Sequence, residues 1–158
     1  MSFFENTRQP SGLGGNVMIS MMNLGHRALT NWGLQALHLA PDARVLDCGC
    51  VVWQGHVEEM IFADAWFDAV TAFETVYFWP GLPRCFREIR RDLKPGGTFL
   101  ICNECSGDTD RDDKWTDKIS GMTIYRDVQL KAALEQAGFG AIQVYKNKKG
   151  WLCITARK

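Results

Sequence analysis

Apolar residues along this chain fall into short runs that are typical of buried β-strands. The first run follows Pro41-Asp42, the second ends at Phe73 and the third follows Gly96-Gly97. Continuous apolar runs of this length favour parallel strands that are covered on both faces. Two later runs flank the polar turn KNKKG, which favours an antiparallel hairpin. The predicted strands are residues 44–50, 67–73, 98–103, 141–145 and 151–156.

Between these strands, apolar residues recur near the 3.6-residue spacing of amphipathic helices. The first helix is predicted to follow the loop QPSGLGG at residues 9–15, with Asn16 as its N-cap. The second ends at Lys94-Pro95-Gly96-Gly97, and Gly138 is the expected C′ residue of the third. Residues 106–121 are polar and indicate a solvated flap or a short surface helix. The predicted helices are residues 16–37, 82–93 and 127–137.

The alternation of strands and helices predicts a three-layer α/β domain. Parallel strands are joined by right-handed crossovers that place helices on the faces of the sheet. The terminal hairpin adds antiparallel pairing at one side of a mostly parallel sheet. We expect a single domain, with residues 1–40 as an N-terminal helical cap and residues 41–158 as the α/β core.

Composition and charge indicate which kinds of binding partner the protein is expected to have. The chain has 158 residues, of which 46% are apolar, and these suffice for one hydrophobic core. Its 18 basic and 18 acidic residues cancel, so a basic surface for nucleic acid is not expected. No apolar run approaches the roughly 18 residues that span a bilayer, and the first ten residues do not resemble a signal peptide. These features predict a cytoplasmic protein without nucleic-acid or membrane partners.

The six cysteines are too few for a disulfide scaffold in a chain of this size. Cys48 and Cys50 form a C-x-C pair, and Cys102 and Cys105 form a C-x-x-C pair. Four thiolates at one edge of the sheet would suit tetrahedral zinc, but the C-x-C spacing argues against such a site. Buried or turn thiols are the preferred interpretation, and no metal is predicted.

Four motifs, taken in order, resemble those of class I S-adenosylmethionine-dependent methyltransferases of the type 11 domain. Residues 45–50 (VLDCGC) resemble the family's cofactor loop, and residues 67–75 resemble its fourth strand. Residues 93–99 (LKPGGTF) resemble the entry to its fifth strand, and residues 136–139 (QAGF) the helix end before its terminal hairpin. The resemblance implies a Rossmann-like methyltransferase fold, S-adenosylmethionine as cofactor and a small molecule as methyl acceptor.

The resemblance breaks directly after Cys50. In the family this point leads into a helix, a second strand ending in an acidic residue for the ribose, and a further helix. Here Cys50 leads into VVWQGHVEEMIF, so the chain is a truncated version of the fold. A missing ribose carboxylate should weaken cofactor binding by about tenfold or more. Two interpretations stay open: a methyltransferase that tolerates the deletion, or a catalytically inactive methyltransferase-like protein with a binding or structural role.

By this resemblance, the cofactor-binding residues are Asp47 and Gly49 in the first loop and His56 on the adenine side. Glu74 and Thr75 follow the fourth strand, at the carboxyl edge where α/β sheets bind ligands. Asp47 has an alternative role as a cap for turn amides. Glu74 and Thr75 have an alternative interpretation as ordinary polar loop residues.

The aromatic segment YFWP at residues 77–80 lies near the same predicted edge. Tyr77 and Trp79, with Gln9 from the N-terminal loop, are predicted to line the substrate pocket. Packing at the entry to the next helix is the alternative for the two aromatic residues. No catalytic residue is assigned, and three histidines isolated in sequence are more typical of helix faces or loops: His26, His38 and His56.

The truncation also makes predictions about connectivity and assembly. Residues 51–66 must join two parallel strands, and the helical spacing of Val57, Met60 and Ile61 predicts a short helix or an irregular crossover. Without the family's second and third strands, the first strand becomes an exposed edge. We therefore expect a homo-oligomer, a homodimer or strand-exchanged assembly, built on Val45 to Trp53.

Overall fold

The described chain contains a five-stranded sheet in the computed structural model, which describes residues 12–48 and 55–158. The order across the sheet is β1-β2-β3-β5-β4. β1, β2 and β3 are parallel, whereas β5 pairs antiparallel with both β3 and β4. This confirms the α/β fold class, a mostly parallel sheet with a C-terminal antiparallel hairpin. The strands are β1 (Val45–Asp47), β2 (Phe67–Phe73), β3 (Leu93–Asn103), β4 (Gly140–Lys146) and β5 (Leu152–Arg157).

Helices cover both faces of the sheet. α2 and α4 pack on one face, where Phe86 and Leu130 join Val70, Phe99 and Ile154 in the larger core. On the other face, α1 packs in a smaller hydrophobic cluster. The helices of the described ranges are α1 (Gly12–Leu34), α2 (Leu82–Asp92), α3 (Asp110–Thr116) and α4 (Asp127–Gln136), with a 3-10 turn at Val76–Phe78.

The first helix begins earlier than predicted. α1 starts at Gly12 and ends at Leu34, whereas the sequence predicted a loop through residue 15 and a helix from 16 to 37. Residues 12–34 contain no proline, so no backbone donor is lost and the helix is not stopped at Asn16. The helix packs closely on β3, because a Cβ added to Gly33 would lie 2.7 Å from Cys102 Sγ.

The crossover between β1 and β2 is irregular over its described residues. The sequence left a short helix and an irregular crossover open for residues 51–66, and the described residues 55–66 form turns and an isolated bridge between His56 and Glu59. Arg91 explains this conformation: its Nη1 donates to the Phe62 carbonyl at 2.7 Å, and its Nη2 to the Met60 carbonyl at 2.8 Å. Those carbonyls are therefore held by a side chain instead of by helical amides.

β1 forms the edge of the sheet in the described part of the chain, as predicted. Within the described part of the predicted strand 44–50, its pairing with β2 covers Val45–Asp47, and Val45 is 44% exposed. Gly49 to Gln54 lie outside the described residues. No helix of the described ranges has the length and apolar character needed to cross a membrane.

Candidate functional site

The carboxyl ends of β1, β2 and β3 meet at one edge of the sheet, and polar residues follow each strand. Asp47 ends β1 and is exposed, and its Oδ1 accepts a hydrogen bond of 2.6 Å from Thr71 Oγ1 on β2. Glu74 follows β2, and Glu104 follows β3. In parallel α/β sheets this edge is where ligands bind, so it is the candidate site.

The Glu74 side chain is held at this edge by contacts from three parts of the chain. Its backbone has φ of 59°, a left-handed conformation that is costly for a residue with a Cβ. The Glu74 Oε1 accepts hydrogen bonds from the Glu104 backbone N–H and from the Tyr77 hydroxyl at 3.3 Å. Its Oε2 lies 3.9 Å from Nε2 of His26, a residue of α1. Three separate elements therefore converge on one carboxylate.

Burial raises the pKa of Glu74 to about 8, and the nearby charge of Glu104 adds to that shift. The Glu104 N–H and the Tyr77 hydroxyl oppose the shift because they bind the ionised form. A carboxyl in this state exchanges a proton near neutral pH, or stays ionised when a cation binds beside it. Either property is typical of a functional site.

Tyr77 lies behind Glu74 and is 2% exposed. Its hydroxyl oxygen accepts a hydrogen bond of 3.0 Å from the Cys105 N–H and lies 3.4 Å from the Cys105 carbonyl. Burial, followed by the charge of Glu74, raises the Tyr77 pKa well above its ordinary value. The neutral hydroxyl is thus a fixed support that joins the β2 and β3 ends.

Two polar groups next to these residues have no hydrogen-bond partner among the described residues. They are Thr75 Oγ1, directly after Glu74, and the side-chain amide of Asn103, directly before Glu104. Asn103 is 0% exposed. Because buried polar groups are almost always hydrogen-bonded, such orphaned groups at a ligand-binding edge are suited to contacts with a bound molecule.

The structure brings Asp47, Glu74, Thr75 and Tyr77 to this edge of the sheet and places Trp79 and His56 elsewhere. Trp79 belongs to the core, where its ring stacks on Phe99 with a centroid distance of 6.3 Å. His56 is exposed on the crossover and bridges to Glu59. Gly49 and Gln9 lie outside the described residues.

Sequence reasoning missed three residues of this edge: His26, Asn103 and Glu104. The rule that selected Glu74, a polar residue directly after a parallel strand, also selects Glu104. His26 gave no such signal, since it lies on a helix far from Glu74 in sequence. Nothing in the described residues supports the alternative of a zinc site made of cysteines. No described group of three metal-binding side chains includes a cysteine, and Cys50 lies outside the described residues.

A cavity of about 400 Å³ lies away from this edge, between the end of α1 and the terminal hairpin. Trp32 and His38 line it on one side, and Thr98, Tyr145 and Arg157 on the other. Thr98 begins the pairing of β3 with β5, so the cavity is near the amino end of β3 and not at the carboxyl edge.

Comparison with known proteins gives one consistent family. The family model of the methyltransferase domain matches residues 24–101, about half of the chain. The sterol 24-C-methyltransferase ERG6B of Gibberella zeae is 36% identical over 104 residues, which are 65% of this chain and 24% of that protein. The chain therefore spans about a quarter of the length of this relative.

Two solved structures share the fold over most of the chain. A chain of the Haloferax volcanii complex between the Trm112 methyltransferase activator and a methyltransferase matches with a TM-score of 0.79, 15% identity and coverage of 90% of this chain and 94% of that one. A SAM-dependent methyltransferase of Thermotoga maritima matches with a TM-score of 0.69, 16% identity and coverage of 89% and 95%. At these identities the likeness shows the fold alone.

Proposed function

Because this chain belongs to the class I methyltransferase family, we propose that it binds S-adenosylmethionine at the carboxyl edge and methylates a small molecule. The family match, the strand order and the polar groups of that edge support this proposal. The bound cofactor would supply an electrophilic methyl group on a sulfonium. The protein's task is then to hold the acceptor in line with that group, because positioning accounts for most of the rate in such a displacement.

The orphaned groups of Thr75 and Asn103 are the observation that carries this proposal. A cofactor seated at the edge would satisfy both, and it would remove the cost of about 1–3 kcal/mol that each unpaired buried group imposes. Asp47, by the family resemblance, belongs to the same cofactor loop as Gly49. Glu74, which His26 of α1 approaches, would then face the acceptor, with Tyr77 supporting it from behind.

A binding experiment tests the assignment. The parent chain is titrated calorimetrically with S-adenosylhomocysteine, beside the isosteric variants Thr75→Val and Asn103→Leu. We expect each variant to bind at least about tenfold more weakly, because one cofactor hydrogen bond is lost. Thr98→Val, a buried threonine near the amino end of β3, is the matched control and should bind like the parent.

The inactive interpretation is the second candidate, and the strand order favours it. In the described part of the chain no strand lies beyond β1, so no strand end offers a carboxylate for the ribose. If the parent shows neither heat nor a thermal shift with millimolar S-adenosylhomocysteine, this interpretation is correct and the enzyme proposal fails. Equal affinities in all four proteins would remove Thr75 and Asn103 from the cofactor site.

We further propose that two chains associate through the β1 edge. Among the described residues no strand pairs with the outer edge of β1, where the half-exposed Val45 side chain lies, so this edge can accept a strand from a second copy. Light scattering at about 100 μM is expected to give a dimer mass for the parent and a monomer mass for Val45→Lys, because a charged edge residue opposes strand pairing. A monomeric parent would rule out the association.

A further inference from the structure

Three side chains that favour metals converge at the carboxyl edge, one from each of three elements. His26 lies on α1, Glu74 follows β2 and Glu104 follows β3. One ligand atom from each residue lies within 4.8 Å of those of the other two, and all three residues are half-buried. We propose that these residues bind a divalent metal ion.

The charge balance of this group supports a cation. Glu74 and Glu104 are neighbours at the same edge, and among the described residues neither carboxylate pairs with a lysine or arginine. The only positively charged partner in the described ranges is His26, whose Nε2 is 3.9 Å from Glu74 Oε2 and which is charged only when protonated. Two half-buried carboxylates without a permanent counter-ion are unfavourable, and a divalent ion between them compensates both.

The ligand atoms are also held in place before any ion binds. The Glu104 N–H and the Tyr77 hydroxyl both bind Glu74 Oε1, which leaves Oε2 directed towards His26. Hydrogen bonds to ligating carboxylates are a usual feature of metal sites, because they orient the ligand. Glu74 also has a left-handed backbone, a strained conformation of the kind that clusters at functional sites.

The ligand set indicates which ion fits. One imidazole and two carboxylates suit zinc, manganese or ferrous iron, whereas Ca²⁺ and Mg²⁺ sites are usually built from oxygen ligands. Three protein ligands leave a coordination position open, as in catalytic metal sites. An acceptor with a hydroxyl or carboxylate oxygen would fill that position, a role that rests on the proposed methyltransferase function. Metal binding itself does not depend on it.

The site is tested with cobalt as the probe, because Co²⁺ reports its coordination by visible absorption. The full chain is titrated with Co²⁺ in the absence of cofactor, and Zn²⁺ is then added as a competitor. We expect one equivalent to bind, and His26→Gln and Glu104→Gln each to weaken binding at least about tenfold. His38→Gln, which removes an exposed histidine of the same N-terminal region, is the control and should bind like the parent.

Several results would overturn the proposal. One is an absence of cobalt binding by the parent at about 1 mM, which would leave His26 and Glu74 as neighbouring polar side chains without a metal. Another is binding that survives both His26→Gln and Glu104→Gln, or that His38→Gln abolishes. Circular dichroism of each variant confirms that it is folded, and Glu104→Asp, which keeps the carboxylate, should recover part of the affinity.

The same proteins separate this proposal from the proposed function. A parent that binds cobalt but not S-adenosylhomocysteine retains the metal site and loses the methyltransferase assignment. The opposite pattern retains the methyltransferase assignment and refutes the metal site.

Discussion

Asp92, the last residue of α2, is a buried carboxylate whose surroundings oppose its charge. It is 0% exposed, and its Oδ1 lies 2.8 Å from Arg91 Nη2, yet neither carboxylate oxygen makes a well-aligned hydrogen bond among the described residues. Burial raises the pKa of Asp92 from 3.8 to about 6. The charge of Arg91 lowers this pKa, but burial together with the charges of Glu88 and Asp64 exceeds that effect.

Replacing Asp92 with asparagine should therefore stabilise the fold, and increasingly so as the pH rises. Because the pKa is higher in the folded state, the folded state favours the protonated carboxyl, and stability is lost as the pH rises through about 6. The raised pKa therefore lowers the free energy of unfolding by about 3 kcal/mol at pH 8 and by less than about 1 kcal/mol at pH 4. Asparagine avoids this cost at every pH.

Urea unfolding of the parent and Asp92→Asn, measured at intervals from pH 4 to pH 8, checks the argument. Asp68→Asn is a control of opposite sign: the hydrogen bond from Lys94, then that from the Arg44 N–H, lowers the Asp68 pKa. The parent should therefore exceed Asp68→Asn in stability throughout this pH range, because the lowered Asp68 pKa lies below it and the advantage is lost only at more acid pH. If Asp92→Asn is less stable than the parent at pH 8, the Arg91 ion pair outweighs burial and the reasoning is wrong.

Two further substitutions test what holds the crossover and the terminal hairpin. Arg91→Lys keeps the charge but loses the forked hydrogen bonds to the Met60 and Phe62 carbonyls. We therefore expect its free energy of unfolding to be about 1–3 kcal/mol lower than that of the parent. Gly138→Ala should lower the unfolding free energy by about 1–2 kcal/mol, because φ is 89° there, and Gly140→Ala is its unstrained control. Urea unfolding measures both, and parent-like stability in either variant would contradict its argument.

The sequence pattern predicts those parts of the fold that depend on local chemistry. β2 spans Phe67–Phe73 as predicted, because an apolar run flanked by polar residues can be buried on both faces only as an interior strand. α4 spans Asp127–Gln136, one residue shorter than expected, and Gly138 takes the left-handed conformation expected at C′. In these elements neighbouring residues carry enough information.

The features that the sequence left open depend on distant contacts. Val57, Met60 and Ile61 have helical spacing, but the Arg91 guanidinium, which lies about thirty positions later, binds the carbonyls of Met60 and Phe62. For Trp79 the sequence left a pocket role and packing open, and its ring packs on Phe86 and Phe99. Spacing along the chain gives no sign of either contact.

The same distinction applies to the candidate site and leads to the last prediction. Glu74 follows from strand topology, but His26 depends on how α1 packs: His26, Leu29 and Gly33 are spaced three and four residues apart and share one helix face. Leu29 is fully buried, and a Cβ on Gly33 would lie 2.7 Å from Cys102 Sγ, so this face rests on β3 and carries His26 to the edge.

Gly33→Ala should therefore push α1 away from the sheet, whereas Gly25→Ala, with no atom within 4 Å of its added Cβ, should not. Alanine adds about 1 kcal/mol of helix stability at either position, and overpacking at Gly33 costs about 1–3 kcal/mol, so Gly33→Ala should be the less stable variant by that overpacking cost. Displacement of His26 should also weaken cobalt binding in Gly33→Ala and leave it unchanged in Gly25→Ala. Equal stability and equal cobalt affinity in the two variants would show that the packing of α1 does not position His26.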